Sequence, residues 1–246
     1  EIYTLSLHDA LPIYFRKFKP DARFIGEIYK IGVPSILMVA IGSVMTYFMN
    51  KILIVYTLGK ELSVNVFGAF FKLNSFICMP IFGLNNGVIP IIAYNYGAQK
   101  KHRMIKTIKL STMYAEIFSV IGAIIFFALP KLLLGFFSAT PDMLRIGIPA
   151  LKIISVSFLF AGMNIALSGA FQAFGKSMFS MISSFIRQLV VLIPVAYILA
   201  RYGLSIGNDN LVWWSYSIAD FAASVVSVML FAVLYKKVIK PIQEKE

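Results

Sequence analysis

CMPIFGLNNGVIPIIAYNYGAQ, residues 78–99, decides how this chain is read. The stretch is apolar enough for hydrocarbon, yet it carries Pro80, Pro90, Asn85 and Asn86. A proline inside a helix leaves the carbonyl one turn back without its donor. Gly83 and Gly87 let the backbone bend or approach a neighbouring helix closely. Broken helices near mid-membrane line the sites of many transporters. The plainer reading is a kinked helix that simply packs tightly. Pro194 repeats the same device later in the chain.

The surrounding composition settles the solvent. Of 246 residues, 59% are hydrophobic and 14% charged, with mean hydropathy +0.81. Soluble domains average about 45–50% apolar and about 25% charged, so most of this surface must face lipid. Six segments are long and apolar enough to span, near residues 31–58, 66–93, 110–129, 150–174, 179–202 and 211–235. None shows the alternation of a membrane barrel. The fold class expected is therefore an all-α membrane protein of six transmembrane helices.

The net charge of +12 would suggest nucleic acid in a soluble protein. Here the cations flank apolar runs, so the expected partner is membrane lipid and no nucleic acid. Fifteen Lys and Arg fall before the first span, in the second and fourth loops and in the tail; five fall in the alternate loops. By the positive-inside rule both termini are expected in the cytoplasm, with the chain multi-pass in the cytoplasmic membrane. Trp213 and Trp214 fall at the outer end of the sixth span, where an aromatic belt belongs. The single Cys78 allows no intrachain disulfide or cysteine metal site, and His102 is the only histidine beyond the opening stretch. No metal and no cofactor are expected. A serine–histidine mechanism lacks a buried histidine, and paired membrane aspartates are missing, so an enzyme is not expected.

Ionisable groups inside spans default to functional hypotheses. Five stand out: Lys51, Lys72, Glu116, Arg187 and Asp220. Lys51 and Lys72 each lie roughly 10 Å from the outer surface at 1.5 Å per residue. They either snorkel outward or line a wet cavity. Arg187 and Asp220 sit on consecutive antiparallel spans with a depth gap of roughly 8 Å, which favours an ion pair. Glu116 competes for Arg187 or carries a proton. Glu116, Arg187 and Asp220 are thus the ion-coupling or structural charges. Candidate cavity residues are Met45, Phe48, Lys51, Lys72, Asn74, Met79, Asn85, Asn86, Asn164 and Gln172, with Phe82 and Met163 as further apolar lining. The kink candidates are Pro80, Pro90 and Pro194. KIGVPSIL from Lys30 and RIGIPALK from Arg145 open the first and fourth spans on opposite sides, as two inverted three-helix units would.

From about Glu27 to Tyr235 the chain resembles the C-terminal half of a MATE-family (multidrug and toxic compound extrusion) transporter. The residues carrying this are EIYKIGVPS, FGAFFKLNSFICMPIFGLNNGVIPIIAYNYGAQKKHR, LKIISVSFLFAGMNIALSGAFQAFGKS, SFIRQLVVLIPVAYILA and WWSYSIAD. The order and spacing across six spans carry more than any one piece. The resemblance implies one six-helix lobe of a twelve-helix protein whose two lobes enclose an alternating cleft. It implies export of drug-like, often cationic, small molecules in exchange for protons or sodium, and a missing N-terminal lobe as partner. The sodium-coupled branch places a glutamate where LMVAIGSVMTYF has about Gly42, and an aspartate in the fourth span, where LFAGMNIALSGAFQ has none. The alternative is a lipid-linked oligosaccharide flippase of the same superfamily, motivated by Lys51, Lys72 and Arg187 if they share one basic lumen. A scaffold that transports nothing is the remaining reading.

The domain division expected is 14–27 as cytoplasmic inter-lobe linker, 28–236 as the six-helix lobe and 237–246 as cytoplasmic tail. Residues 1–13, EIYTLSLHDALPI, match one reading frame of a common sequencing-library adapter. They are expected to be non-native and poorly packed, and His8 and Asp9 drop out with them.

Overall fold

The computed structural model describes residues 21–242. The expectations for residues 1–13, for residues 14–20 of the linker and for residues 243–246 of the tail lie outside that range. Among the described residues the secondary structure consists of helices joined by short turns, with no strands. Helix α1 runs Ala22–Tyr56, α2 Glu61–Gly97, α3 Lys101–Ala128, α4 Pro130–Gly135, α5 Pro141–Ser155, α6 Phe158–Ala173 and α7 Ser177–Phe185. A π-helical segment, Ile186–Leu192, joins α7 to α8, Ile193–Ile206. A 3₁₀ turn, Asp209–Trp213, leads into α9, Trp214–Leu234, which ends in a second π segment, Tyr235–Ile239. Five helical stretches are long and apolar enough to cross a membrane, or six when the bent pair α5–α6 counts as one. The chain is a multi-pass helical membrane protein.

Local chemistry sets the joints. Asp21 caps α1 by accepting from the Arg23 N–H at 2.8 Å. Thr140 caps α5, and Pro141 sits in its first turn, where its missing N–H costs nothing. Gly175 turns α6 into α7 with φ +66°, a left-handed geometry that strains any residue carrying a Cβ. At the end that the positive-inside expectation turns outward, here called outer, the Asp209 carboxylate accepts from the N–H groups of Leu58 and Gly59, both at 2.9 Å. One side chain thereby ties the α1–α2 loop to the α8–α9 loop.

Two apolar clusters hold the bundle, one at each end. The outer cluster includes Met49, Leu53, Phe67, Phe126, Phe158 and Trp213, all essentially fully buried. The inner cluster includes Ile92, Met104, Phe171 and Ile239. Small residues let helices touch between them. A Cβ on Gly162 would stand 2.6 Å from the Ala115 carbonyl oxygen, so only glycine permits this approach of α6 to α3. Large apolar side chains such as Val39, Phe76, Ile124 and Met229 are exposed, as lipid-facing positions are.

Of the two readings of residues 78–99, a break is not what the structure has. Helix α2 continues unbroken through Pro80 and Pro90, both of which lie on its exposed side. The break instead divides the fourth span: α5 and α6 meet at 54°. No proline stands at this junction. Around Val156 the backbone tightens to short-range bonds, Val156 N–H to the Ile153 carbonyl and Ser157 N–H to that of Ile154. The Ser155 hydroxyl bonds back to the Lys152 carbonyl at 2.7 Å, and Ser217 of α9 donates to the Ile153 carbonyl at 3.4 Å. These hydroxyls satisfy carbonyls that a straight helix would pair internally. Pro194 likewise sits just past an irregularity. Lacking an N–H, it leaves the Val190 carbonyl without its helical donor, and the π register of Ile186–Leu192 absorbs the mismatch.

Candidate functional site

A cavity of about 470 Å³ lies between the two apolar clusters. It is lined by residues from α1, α2, the α5–α6 break, α6, α7, the first π segment and α9. Six of the sequence-derived candidates meet there: Met45, Asn74, Asn85, Asn86, Asn164 and Gln172, together with Phe82. Arg187 and Asp220 face the same space. The π segment carries Arg187 and Gln188 toward it, and the break brings Ser157 to its wall.

The polar groups are arranged by specific contacts. Asn85 donates to the Ile165 carbonyl at 2.8 Å, with its amide packed so tightly on Gly169 that no Cβ fits. Asn164 donates to the Asp220 carbonyl at 3.2 Å. Ser180 donates to the Ser168 carbonyl at 2.9 Å, and the hydroxyls of Ser183 and Ser227 pair at 2.8 Å. Arg187 Nε stands 2.9 Å from Asp220 Oδ1, the ion pair expected from the matched depths. That oxygen has the distance of an ion pair without the alignment of a hydrogen bond. Asn164 Oδ1 and Tyr216 Oη are also buried without a hydrogen-bond partner, and both residues line this cavity. Buried polar atoms left unpaired in this way mark a place where an additional group can be bound.

Other expectations are corrected. Glu116 does not compete for Arg187: its Oε2 accepts from the Met163 N–H of α6 at 3.0 Å, away from the cavity. Phe48 and Met79 are exposed and outside it. Met163 packs against the inner cluster. Lys72 belongs to a second, outer cavity of about 680 Å³ with Asn50, Asn65 and Thr140, its Nζ 5.9 Å from the Phe137 ring centre. Lys51 is exposed and lines neither space. The three basic residues behind the flippase reading therefore share no lumen, and that reading is not favoured. Gly42 also reaches the first cavity, where a Cβ would come within 3.7 Å of Gln188.

Sequence reasoning did not single out Ser157, Ser180, Ser184, Gln188 or Tyr216, all of which line the cavity. A signal was present in SMFSMISSFIRQ. Ser177, Ser180, Ser184, Arg187 and Gln188 recur at three- and four-residue steps, one polar stripe of a helix.

A bundle of five apolar helices plus the bent α5–α6 pair, enclosing a polar cavity, defines a helical membrane domain. The MatE family model matches residues 34–198, and the chain belongs to that family. It is 29% identical over 234 residues to the multidrug export protein MepA of Staphylococcus aureus (strain MSSA476), covering 95% of this chain and 50% of that protein. To MepA of Staphylococcus haemolyticus (strain JCSC1435) it is 31% identical over 231 residues, covering 93% and 49%. Its fold superimposes with TM-score 0.83 and 20% identity on a MOP superfamily transporter from Pyrococcus furiosus, described as having a binding pocket of reverse polarity. That match covers 95% of this chain and 50% of the other. An outward-facing multidrug resistance MATE transporter matches with TM-score 0.79 and 22% identity over 92% and 50%. The chain spans about half the length of the curated relatives it matches.

Proposed function

We propose that this chain is the C-terminal half of a secondary active multidrug efflux transporter. Its task is export of drug-like compounds, cationic ones included, in exchange for protons or sodium by alternating access. The observation that carries this is the amphipathic cavity, where Phe70, Phe82 and Met45 face the amides of Asn74, Asn85 and Asn86. Its volume falls within the range of ligand sites, about 300–1,000 Å³. The names of the MepA relatives support the multidrug reading. The broken fourth span and the π segment are elements able to change register as a cleft opens and closes.

The partner in this reading is an N-terminal lobe supplying the other wall of the cleft, and both termini lie in the cytoplasm. The chain moves molecules without chemically altering them and takes no cofactor beyond the ion gradient. Co-expression with an N-terminal half, followed by dye efflux from loaded cells, tests it. Efflux should stop when an ionophore collapses the proton or sodium gradient. Efflux that continues unchanged after both gradients are dissipated would refute secondary coupling.

A further inference from the structure

The charge presented by the inner cavity has one sign. Arg187 and Asp220 are the charged residues on its wall among the described residues. Their exposure is unequal: the arginine side chain is 34% accessible and the aspartate 5%. The pair is contacted through Nε, the nitrogen nearest the arginine stem. Among the described residues no hydrogen bond engages the two terminal nitrogens. Asp220 thus holds the guanidinium in place and hides its own charge, leaving a donor fork turned to the cavity. An arginine fork matches a carboxylate geometrically and binds it by paired, charge-assisted bonds. Around it stand amides and hydroxyls that tolerate either polarity, and the aromatic faces of Phe70, Phe71 and Phe158.

We infer that this cavity binds amphipathic aromatic compounds through an anionic group, a carboxylate or sulfonate, with Arg187 as the docking residue and Asp220 as its positioning residue. The inference rests on the efflux reading and sharpens it. Purely cationic compounds find no exposed acid on this cavity's wall, where Asp220 is the one acid and is buried, whereas a zwitterion or an acid docks at Arg187. Arg187 then sets specificity, because a neutral analogue makes no charge-assisted bond to the terminal nitrogens of the guanidinium.

The test uses the purified full chain in lipid nanodiscs and two probes, dansylglycine and its neutral methyl ester. Fluorescence titration should show the acid binding at least tenfold more tightly than the ester. Arg187→Gln leaves Asp220 buried and unpaired and risks unfolding, so the informative variant is the charge-neutral double R187Q/D220N, checked by thermal melting. It should bind acid and ester alike. Asp220→Asn alone should weaken the acid preference without abolishing it, since the guanidinium remains but loses the carboxylate that holds it. Equal affinity of the wild-type chain for both probes, or an acid preference surviving in R187Q/D220N, overturns the inference and leaves the efflux reading standing. Saturable binding of neither probe likewise overturns the inference, while the efflux reading is decided separately by the dye-efflux experiment.

Discussion

Asp220 is 3% exposed, on a membrane-embedded helix, and its one counter-ion is Arg187. Removing a single member of such a pair strands a buried charge, which costs about 3–5 kcal/mol. Removing both costs far less, because the desolvation penalty disappears with the charges. Arg187→Gln should therefore lower thermal stability sharply, and R187Q/D220N should recover most of the loss in the same melting experiment. Gly169 makes a different prediction at this scale. Gly169→Ala puts a methyl into the space of the Asn85 amide and breaks its bond to the Ile165 carbonyl. A destabilisation of about 1–3 kcal/mol is expected from overpacking. Gly83→Ala, which has open space around it, should change the melting temperature little. The existence of the ion pair was legible from sequence, since two intramembrane charges at similar depth have few other partners. The fate of Glu116 was not, because its partner is a backbone N–H, and no sequence pattern announces a backbone donor.

At the scale of elements, the joints between helices follow from residues of small size and strong local preference. Thr140, Pro141, Gly175 and Gly207 stand where caps and left-handed turns are needed. The Asp209 latch joins loops whose sequence positions differ by about 150 residues. Asp209→Asn retains the shape but loses charge-assisted acceptance from two amides, and about 1–3 kcal/mol of local stability should go with it. Hydrogen exchange at Leu58 and Gly59 should accelerate while exchange in α3 stays the same. Sequence reasoning left α2 either broken or merely kinked, because proline is the visible breaker, and α2 is continuous. The structure breaks the fourth span at serines instead. A proline on an exposed face bends a helix without ending it, whereas hydroxyls such as Ser155 and Ser217 can satisfy freed carbonyls. Pro194→Ala restores the missing donor and should favour a regular α-helix over Ile186–Leu192. That change rotates Arg187 from the cavity, so the acid-over-ester preference should fall while thermal stability holds.

The whole molecule behaves as a lobe with lipid on its outside. Ile124 lies on the exposed face of α3. Ile124→Lys should cost about 2.5–3.5 kcal/mol if placed near the bilayer centre, read as a loss of folded, monodisperse protein in nanodiscs. The same substitution at Ile105, near the basic start of α3, should be tolerated. A bound N-terminal half would stabilise the folded lobe by mass action, so melting temperature should rise with its concentration.

The sequence by itself determined the solvent, the number and order of spans, the side on which positive charge gathers, and membership of the MatE family. These depend on hydropathy and spacing along the chain, which are one-dimensional quantities. Only the tertiary structure decided which polar groups meet. It separated Lys72 from Arg187, gave Glu116 to the Met163 amide, and gathered serines from α6, α7 and α9 around the ion pair. It also left the guanidinium more exposed than its carboxylate partner. That inequality depends on helix rotation and on where the backbone breaks, and neither is written in the period of the apolar residues.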